Sequence, residues 1–582
     1  MRSARGSRLA CLALGLALLG SACSWPRQDA GQDGVRGGTL RVVTTDVIEG
    51  LDTAITYTPF ELAIARTYAR TLYGYDLSAP PDQVTTPVAD IAAGLPQVSA
   101  DQRSYTFTLR PGVRYAPPVN REVTATDFIT AIERFSDDSM PRRLAPSAGQ
   151  QYANLIVGAE AFAAGKAERI SGLAAPDART LKITLVQPAG DLLSILTLAL
   201  FAPVPREYAA HYAVGPNYDG HVVGSGPYTV NSYIPGRLIV LDRNLNWDAA
   251  TDPLRRRAWV DRIQVRLGVS SRSIQQAIDH QQADLSLDSH VPQARLAALR
   301  ADPELARRLS VNPTACLWFL TLGTHRAAGA IADVRVRQAV NYAIDKVAYR
   351  DAVAGRYTPN GELASTILAP GSLGYRPYDL YPTPGSRGDP AKAKALLAEA
   401  GYPNGLTLGF TTFGSGNHAA ATKPIQESLA RAGIDLKVKR YEGNDVWFKS
   451  LAVPAKRLEH QLGYNAWCPD YLGDNGRGTI VPQYDGRLLN PNVGANTSEY
   501  DNPAVNRLID RALTEGDRAR RAALWSEIDQ RIMRDAPLPA DLDEPGVPLG
   551  PPGPRLGVQP LDIHARPHRP MARPTDPMTS DC

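Results

Sequence analysis

The residues best suited to chemistry sit together at the end of one apolar run. Gly463 to Asp474 reads Gly-Tyr-Asn-Ala-Trp-Cys-Pro-Asp-Tyr-Leu-Gly-Asp. Tyr464, Asn465, Ala466 and Trp467 read as a strand, and Asp470 follows at its end, past Cys468-Pro469. A lone carboxylate beside a Trp at a strand end suits a cleft wall that captures a cation; the same Asp also suits a simple strand-end turn. Trp467 fits a cleft wall or plain core packing equally well. Hydrolytic chemistry finds no support. The chain has no His-Glu-x-x-His, no Gly-x-Ser-x-Gly elbow and no Cys-x-x-Cys, and Phe413-Gly414-Ser415-Gly416 lacks the elbow spacing.

The elements needed to position these residues are legible in the flanking pattern. Gly37-Gly38-Thr39-Leu40-Arg41-Val42-Val43-Thr44 reads as a turn followed by a β-rich strand, and an Ala-rich stretch from Phe60 to Tyr75 reads as a helix. Tyr105, Phe107 and Leu109 alternate with polar residues, giving a strand with one apolar face. Thr124 and Asp127 cap a helix through Phe128, Ile132 and Phe135. Strands follow at Thr180–Leu185, Val230 and Leu238–Leu241. In the second half Val336, Ala339, Val340, Ala343, Ile344 and Val347 fall at helical spacing behind an Asp333 cap. Arg335, Arg337, Asp345 and Lys346 lie off that stripe and read as a solvated face. Asp389-Pro390 opens a helix that Gly401 stops. Strand, helix and strand then alternate through 406–413, 423–432 and 434–441, the rhythm of an α/β lobe with a mixed sheet.

The N-terminus indicates where the protein works. Arg2, Arg5 and Arg8 precede an apolar run from Leu9 to Leu19, then Gly20-Ser21-Ala22-Cys23. This is an export leader, with an apolar core too short to span a bilayer. Cys23 after small residues suits a lipobox, where the cysteine is acylated and becomes the mature N-terminus; Gly20 departs from the usual apolar residue there, and cleavage near Ala22 without lipid is the other reading. Residues 24–37 read as a tether. No later run is apolar enough to cross a membrane, so the expected state is extracytoplasmic and lipid-anchored or secreted. The net charge of +4 falls to +1 without the three leader arginines, too weak to argue for nucleic acid. About 560 residues past the leader exceed one core, so two or three domains are expected. Cys316 and Cys468 are the one cysteine pair left in the body of the chain once Cys11, Cys23 and the terminal Cys582 are set aside. They are either bridged, as an oxidising compartment allows, or two buried thiols.

Taken in order, these segments resemble the family 5 extracytoplasmic solute-binding proteins of ABC importers, the oligopeptide- and dipeptide-binding lipoprotein type. The match runs from about Gly38 to Pro537. It rests on Gly-Gly-Thr-Leu-Arg-Val at the start, Tyr105–Gly112, Val123–Phe128, Gly224–Tyr228, Asn244–Trp247, Asp333–Asp345, Asp389–Tyr402 and Trp467-Cys468-Pro469-Asp470-Tyr471. The resemblance implies an α/β, two-lobed periplasmic-binding-protein-like fold of type II, cluster C, with an extra domain inserted in lobe I. By that analogy residues 1–23 are a lipoprotein signal peptide, 24–37 a tether, 38–58 with 178–312 lobe I, 59–177 the inserted domain and 313–536 lobe II.

The function implied is binding without catalysis. A short peptide lies extended in the inter-lobe cleft, the lobes close, and a monomer docks on permease subunits in the membrane, with no cofactor and no metal. Asp470 would pair with the ligand's α-amine. The strand Tyr464–Trp467, with Ala466 in it and Cys468 beside it, would supply backbone partners. Trp467 would wall the cleft and Cys316 would be disulfide-bonded to Cys468. His418, after the 406–413 strand, is a surface loop residue or meets the ligand's carboxylate. A nickel chelate, an oligosaccharide or a signalling peptide on the same fold is the alternative cargo, and an exported hydrolase the alternative class; a cleft carboxylate favours amines over neutral sugars. One region departs from the family. Asp535-Ala536-Pro537 leads into a tail, 537–582, with 12 prolines between Pro537 and Pro577. That density excludes a central strand or a regular helix, so the tail reads as disordered. A natural Pro-rich extension and a shifted reading frame both fit, and the first lobe would lose its closing strand.

Overall fold

The computed structural model describes residues 36–546, except positions 49, 57, 213 and 255 and the stretches 81–82, 138–147, 288–297, 299–300, 304–311, 354–362, 415–418, 443–445, 492–493 and 538–539. Cys23, the leader, His418 and the tail beyond residue 546 lie outside the described residues.

Three packed layers share the chain. The first sheet runs Leu285–Ser286, Thr39–Val43, Arg262–Arg266, Leu238–Arg243 and Tyr228–Ile234. Thr39–Val43 is parallel to both of its neighbours, and the remaining pairs are antiparallel. Leu40, Val42, Ile239, Leu241, Ile263 and Val265 alternate into one buried face. Helix Pro59–Tyr68 covers it with Ile64, Ala65 and Tyr68. Thr58 and Glu61 form a reciprocal capping box at its start, with a proline in the first turn. The expected helix to Tyr75 stops at Tyr68 because Gly226 N–H takes the Tyr68 carbonyl at 2.8 Å. That approach needs glycine: a Cβ on Gly224 would sit 1.8 Å from the same oxygen.

The second layer is a sheet of Gln97–Val98, Ser104–Thr108, Thr180–Thr184 and Leu173–Asp177 against helix Ala125–Ser136. The Thr124 N–H donates to Asp127 at 2.8 Å. Here the domain edges differ from expectation. Thr180–Thr184, assigned to lobe I, pairs with Ser104–Thr108 inside the inserted layer, whose core continues to Phe201. The helix placed in the insertion packs instead in the first core. A strand's sheet is set by its partner, which one-chain spacing does not name.

The third layer is the mixed sheet Ile434–Tyr441, Leu406–Phe413, Leu462–Trp467, Asn312–Leu322 and Ala540–Gly546. The first two strands are parallel, and Leu462–Trp467 runs antiparallel to Asn312–Leu322. Helices Val334–Ala343, Pro390–Glu399, Thr422–Arg431, Pro503–Thr514 and Arg518–Asp535 contribute to its core. The Pro-rich tail departs from its reading: Ala540–Gly546 adds an edge strand antiparallel to Asn312–Leu322. Residues 540–544 contain no proline, and Pro545 is tolerated at an edge, where no second neighbour needs its missing donor.

The helical stripe behind Asp333 breaks at Ile344, and a new helix runs Lys346–Val353. Two members of the supposed solvated face are buried. Asp345 accepts from Ala348 N–H at 2.8 Å and so caps the new helix. Arg337 donates to the carbonyls of Asp535, Ile331 and Ala332 at 2.9, 3.0 and 2.7 Å. Arg337→Met should therefore strand three carbonyls and destabilise the third layer by about 2–4 kcal/mol in chemical unfolding. Arg335→Met, at an exposed ion pair with Asp333, should change it by less than about 1 kcal/mol. Equal effects would refute the assignment of Arg337 to the core.

Candidate functional site

The strand Leu462–Trp467 places the candidate residues. It makes a full antiparallel ladder with Leu317–Leu322 on one edge. On its other edge the register with Leu406–Phe413 covers only Phe410 with Leu462 and Thr411 with Gly463. Among the described residues, Tyr464 to Trp467 therefore have one edge outside the sheet. Along that length the Asn465 side chain accepts from Ala466 N–H at 2.8 Å. Sheet edges of this kind are where an extended ligand can add main-chain hydrogen bonds.

The side chains divide between core and cleft. Tyr464 is fully buried and shares a 2.6 Å hydroxyl contact with Tyr349, so its side chain belongs to the core and only its main chain can serve a ligand. Ala466, Trp467, Cys468 and Asp470 are half-buried. Trp467 donates its ring N–H to the Gly478 carbonyl at 2.9 Å, which fixes the indole against the next turn of chain. Cys316 and Cys468 stand one rung beyond the Leu317–Trp467 pair, with Cα atoms 4.1 Å apart and their sulfurs bonded.

Past the disulfide the chain runs along the inserted layer, and polar contacts hold it there. The Tyr152 hydroxyl donates to Asp470. Tyr75 bonds Leu472 twice, donating to its carbonyl at 3.0 Å and accepting from its N–H at 3.1 Å. Asp191 is buried and accepts from the Tyr471 hydroxyl at 2.9 Å and from Arg477 at 2.7 and 3.1 Å. Burial works against the Arg477 charge, but Asp191 more than offsets it and raises the guanidinium pKa. Arg521 holds Asp474 through a 2.9 Å Nε contact and reaches the Gly190 carbonyl at 3.1 Å. Burial raises the Asp474 pKa, and the Arg521 hydrogen bond opposes that shift.

Sequence reasoning named Asp470 and Trp467 but missed Tyr152, Asp191, Arg477 and Arg521. The polar run Gly473-Asp474-Asn475-Gly476-Arg477, a short way past the strand end at Trp467, was the signal for the second-layer contacts; nothing local marks Tyr152. A Cβ at Gly473, where φ is +74°, would lie 2.4 Å from the Thr85 carbonyl, so this close approach requires glycine.

Residues 86–477 match the family model described as bacterial extracellular solute-binding proteins, family 5. The chain belongs to that family. Heme-binding protein A of Haemophilus influenzae is 26% identical over 460 residues, covering 76% of each chain. The glutathione-binding protein GsiB of Pectobacterium atrosepticum is 26% identical over 480 residues, 81% of this chain and 82% of that protein. Among solved structures, clavulanic acid biosynthesis oligopeptide binding protein 2 superposes with a TM-score of 0.80 at 30% identity, covering 89% of this chain and 92% of its own. Family 5 proteins are the extracytoplasmic substrate-binding components of ABC importers, so this chain is a binding protein and not an enzyme. Its relatives take peptides or other small cargo. Among the described residues, no helix is long and apolar enough to cross a membrane.

Because the disulfide ties the segment that follows Trp467 to the Asn312–Leu322 strand across a separation of 152 residues, its loss should be felt in stability. Chain entropy for a loop of that length is worth about 5 kcal/mol. Peptide mapping without reductant should recover one Cys316–Cys468 linked peptide from oxidised protein, and dithiothreitol should lower the thermal midpoint. Two free thiols in protein purified under oxidising conditions would refute the bridge.

Proposed function

We propose that the protein binds short peptides in extended form along the open edge of Tyr464–Trp467 and delivers them to membrane permease subunits of an ABC importer. Asp470 takes the ligand's α-amine in this reading. The observation that carries it is the carboxylate's place: half-buried at the end of a strand with one edge outside the sheet, and faced by Tyr152 from the inserted layer. An ammonium there would meet a charge shielded from bulk water, where an ion pair is worth more than at a surface. Main-chain pairing along the strand would accept many side chains, the economy of β-strand addition. Tyr152 and the Asp191 pairings join the inserted layer to the anchor segment, so a ligand that favours this arrangement shifts the equilibrium between open and closed lobes. The name of the 30% identical oligopeptide binding protein supports this cargo class. That of the glutathione-binding relative fits the same anchor, since glutathione carries a free amine.

Asp470→Asn keeps the volume and removes the charge. Peptide affinity by calorimetry should fall by about 2–5 kcal/mol, roughly thirtyfold or more. N-acetylating the peptide should weaken the wild type by a similar factor and add little to the loss in the variant. Tyr152→Phe should keep most of the affinity, because the hydroxyl only shares the carboxylate. If free and acetylated peptides bind the wild type equally, Asp470 is not the amine site, and a cargo without an amine, as in the heme-binding relative, takes precedence.

We further propose that Cys23 is lipidated and tethers the protein to the cell membrane. Two acyl chains hold a protein on a bilayer where one binds reversibly. Cys23→Ala should move the protein from the membrane fraction to the soluble one. Wild-type protein that is soluble and begins at or near Ser24 would establish ordinary secretion instead.

A further inference from the structure

Behind the anchor segment, a cavity lies where helix Pro59–Tyr68 and the inserted layer meet Leu254 and Arg256. Its lining includes Arg66, Thr71, Tyr75, Leu77, Leu254 and Arg256. Tyr75 and Leu77 are also the residues that pack on Leu472, two positions from Asp470. Among the described residues, the charges around this cavity do not balance. Arg70 pairs with Asp90, and Arg256 pairs with both Asp90 and Asp252. With Arg66, three guanidinium groups face two carboxylates, and the unmatched cation is Arg66. Among the described residues it makes no hydrogen bond or ion pair, and its electrostatic neighbours are Tyr75 and a second cation, Arg256. Burial, and then the repulsion from Arg256, hold its guanidinium pKa below the ordinary value.

Partial burial of an arginine with no charged partner is costly, and among the described residues nothing satisfies its five N–H donors beyond the water its remaining surface admits. The neighbouring hydroxyls are engaged elsewhere, Thr71 donating to the Tyr73 carbonyl and Thr197 to that of Ser194. Arg66 nevertheless keeps some accessible surface, so the cavity can be entered. Planar guanidinium matches a carboxylate or similar oxyanion in two parallel hydrogen bonds.

We propose that this cavity is an anion-binding site, with Arg66 as the direct partner of a carboxylate or comparable small oxyanion. The anion is either free in the medium or the acidic group of the transported ligand. The first arm of the test needs no cargo and so stands apart from the peptide reading. Sodium acetate and inorganic phosphate are titrated into the intact protein at constant ionic strength, balanced with a bulky sulfonate salt. The wild type should show a saturable rise in thermal midpoint. Arg66→Met and Arg66→Gln should show none, and Arg66→Met should start from a midpoint no lower than the wild type in the sulfonate salt, since an unpaired buried charge has been removed. The second arm compares a peptide with its C-terminal amide. A loss of about tenfold on amidation in the wild type, absent in the Arg66 variants, assigns the anion to the ligand. A saturable acetate effect without sensitivity to amidation assigns it to a free ion. If the wild type and both variants respond alike to the salts and to amidation, the site does not exist.

Discussion

The cleft depends on one buried carboxylate. Asp191 lies beneath the inserted layer, where an unpaired charge would cost several kcal/mol. It is satisfied by Tyr471 and Arg477, and both belong to the segment that leaves the third-layer sheet after Trp467. That requirement draws residues 470–477 across to the inserted layer and holds them there. Asp470, at the start of the same segment, is thereby set opposite Tyr152. The second pairing, of Asp474 with Arg521, repeats the device: Arg521 also reaches the carbonyl of Gly190, next to Asp191. Removing either partner of a pair at this depth leaves the other uncompensated, so the contacts behave as a unit rather than as separate bonds.

The geometry of the strand carries the other half of the site. A strand fully paired on both edges has no main chain to offer. Here the ladder to Leu406–Phe413 stops after two rungs, while the ladder to Asn312–Leu322 continues to Trp467 and is followed by the Cys316–Cys468 bridge. One edge is fixed covalently and by register; the opposite edge is left outside the sheet over the residues next to Asp470. The buried Tyr464 ring, packed among Trp318, Tyr349 and Phe413, pins the strand from its core face. Rigidity on one side and availability on the other are what a binding edge requires.

Local signals in the chain were reliable where the cause is local. Thr124 with Asp127, Asp333, and Asp389-Pro390 each open a helix as expected, because a capping side chain satisfies donors within three residues of itself. The alternation at Tyr105, Phe107 and Leu109 marks one buried face, since side-chain direction in a strand has a period of two. Reading went astray where the cause is remote. The helix that ends at Tyr68 is stopped by a glycine turn more than 150 residues later in the chain, at Gly226. Arg337 looked solvent-facing because its three carbonyl partners include Asp535, which no helical wheel shows. The tail from Pro537 was read by average proline content, while the strand Ala540–Gly546 that pairs there holds a single proline, Pro545.

The sequence alone carried the family, the order of most strands and helices, and the identity of Asp470 as a carboxylate at a strand end. These follow from residue type and short spacing, which act through the backbone nearby. The tertiary structure alone decided which sheet Thr180–Thr184 joins, which edge of Leu462–Trp467 is left open among the described residues, and that Tyr152, Asp191 and Arg521 meet residues 470–477. Those are choices among partners from 47 to 318 residues apart, made by burial of charge and by strand register, and neither leaves a mark in the local sequence.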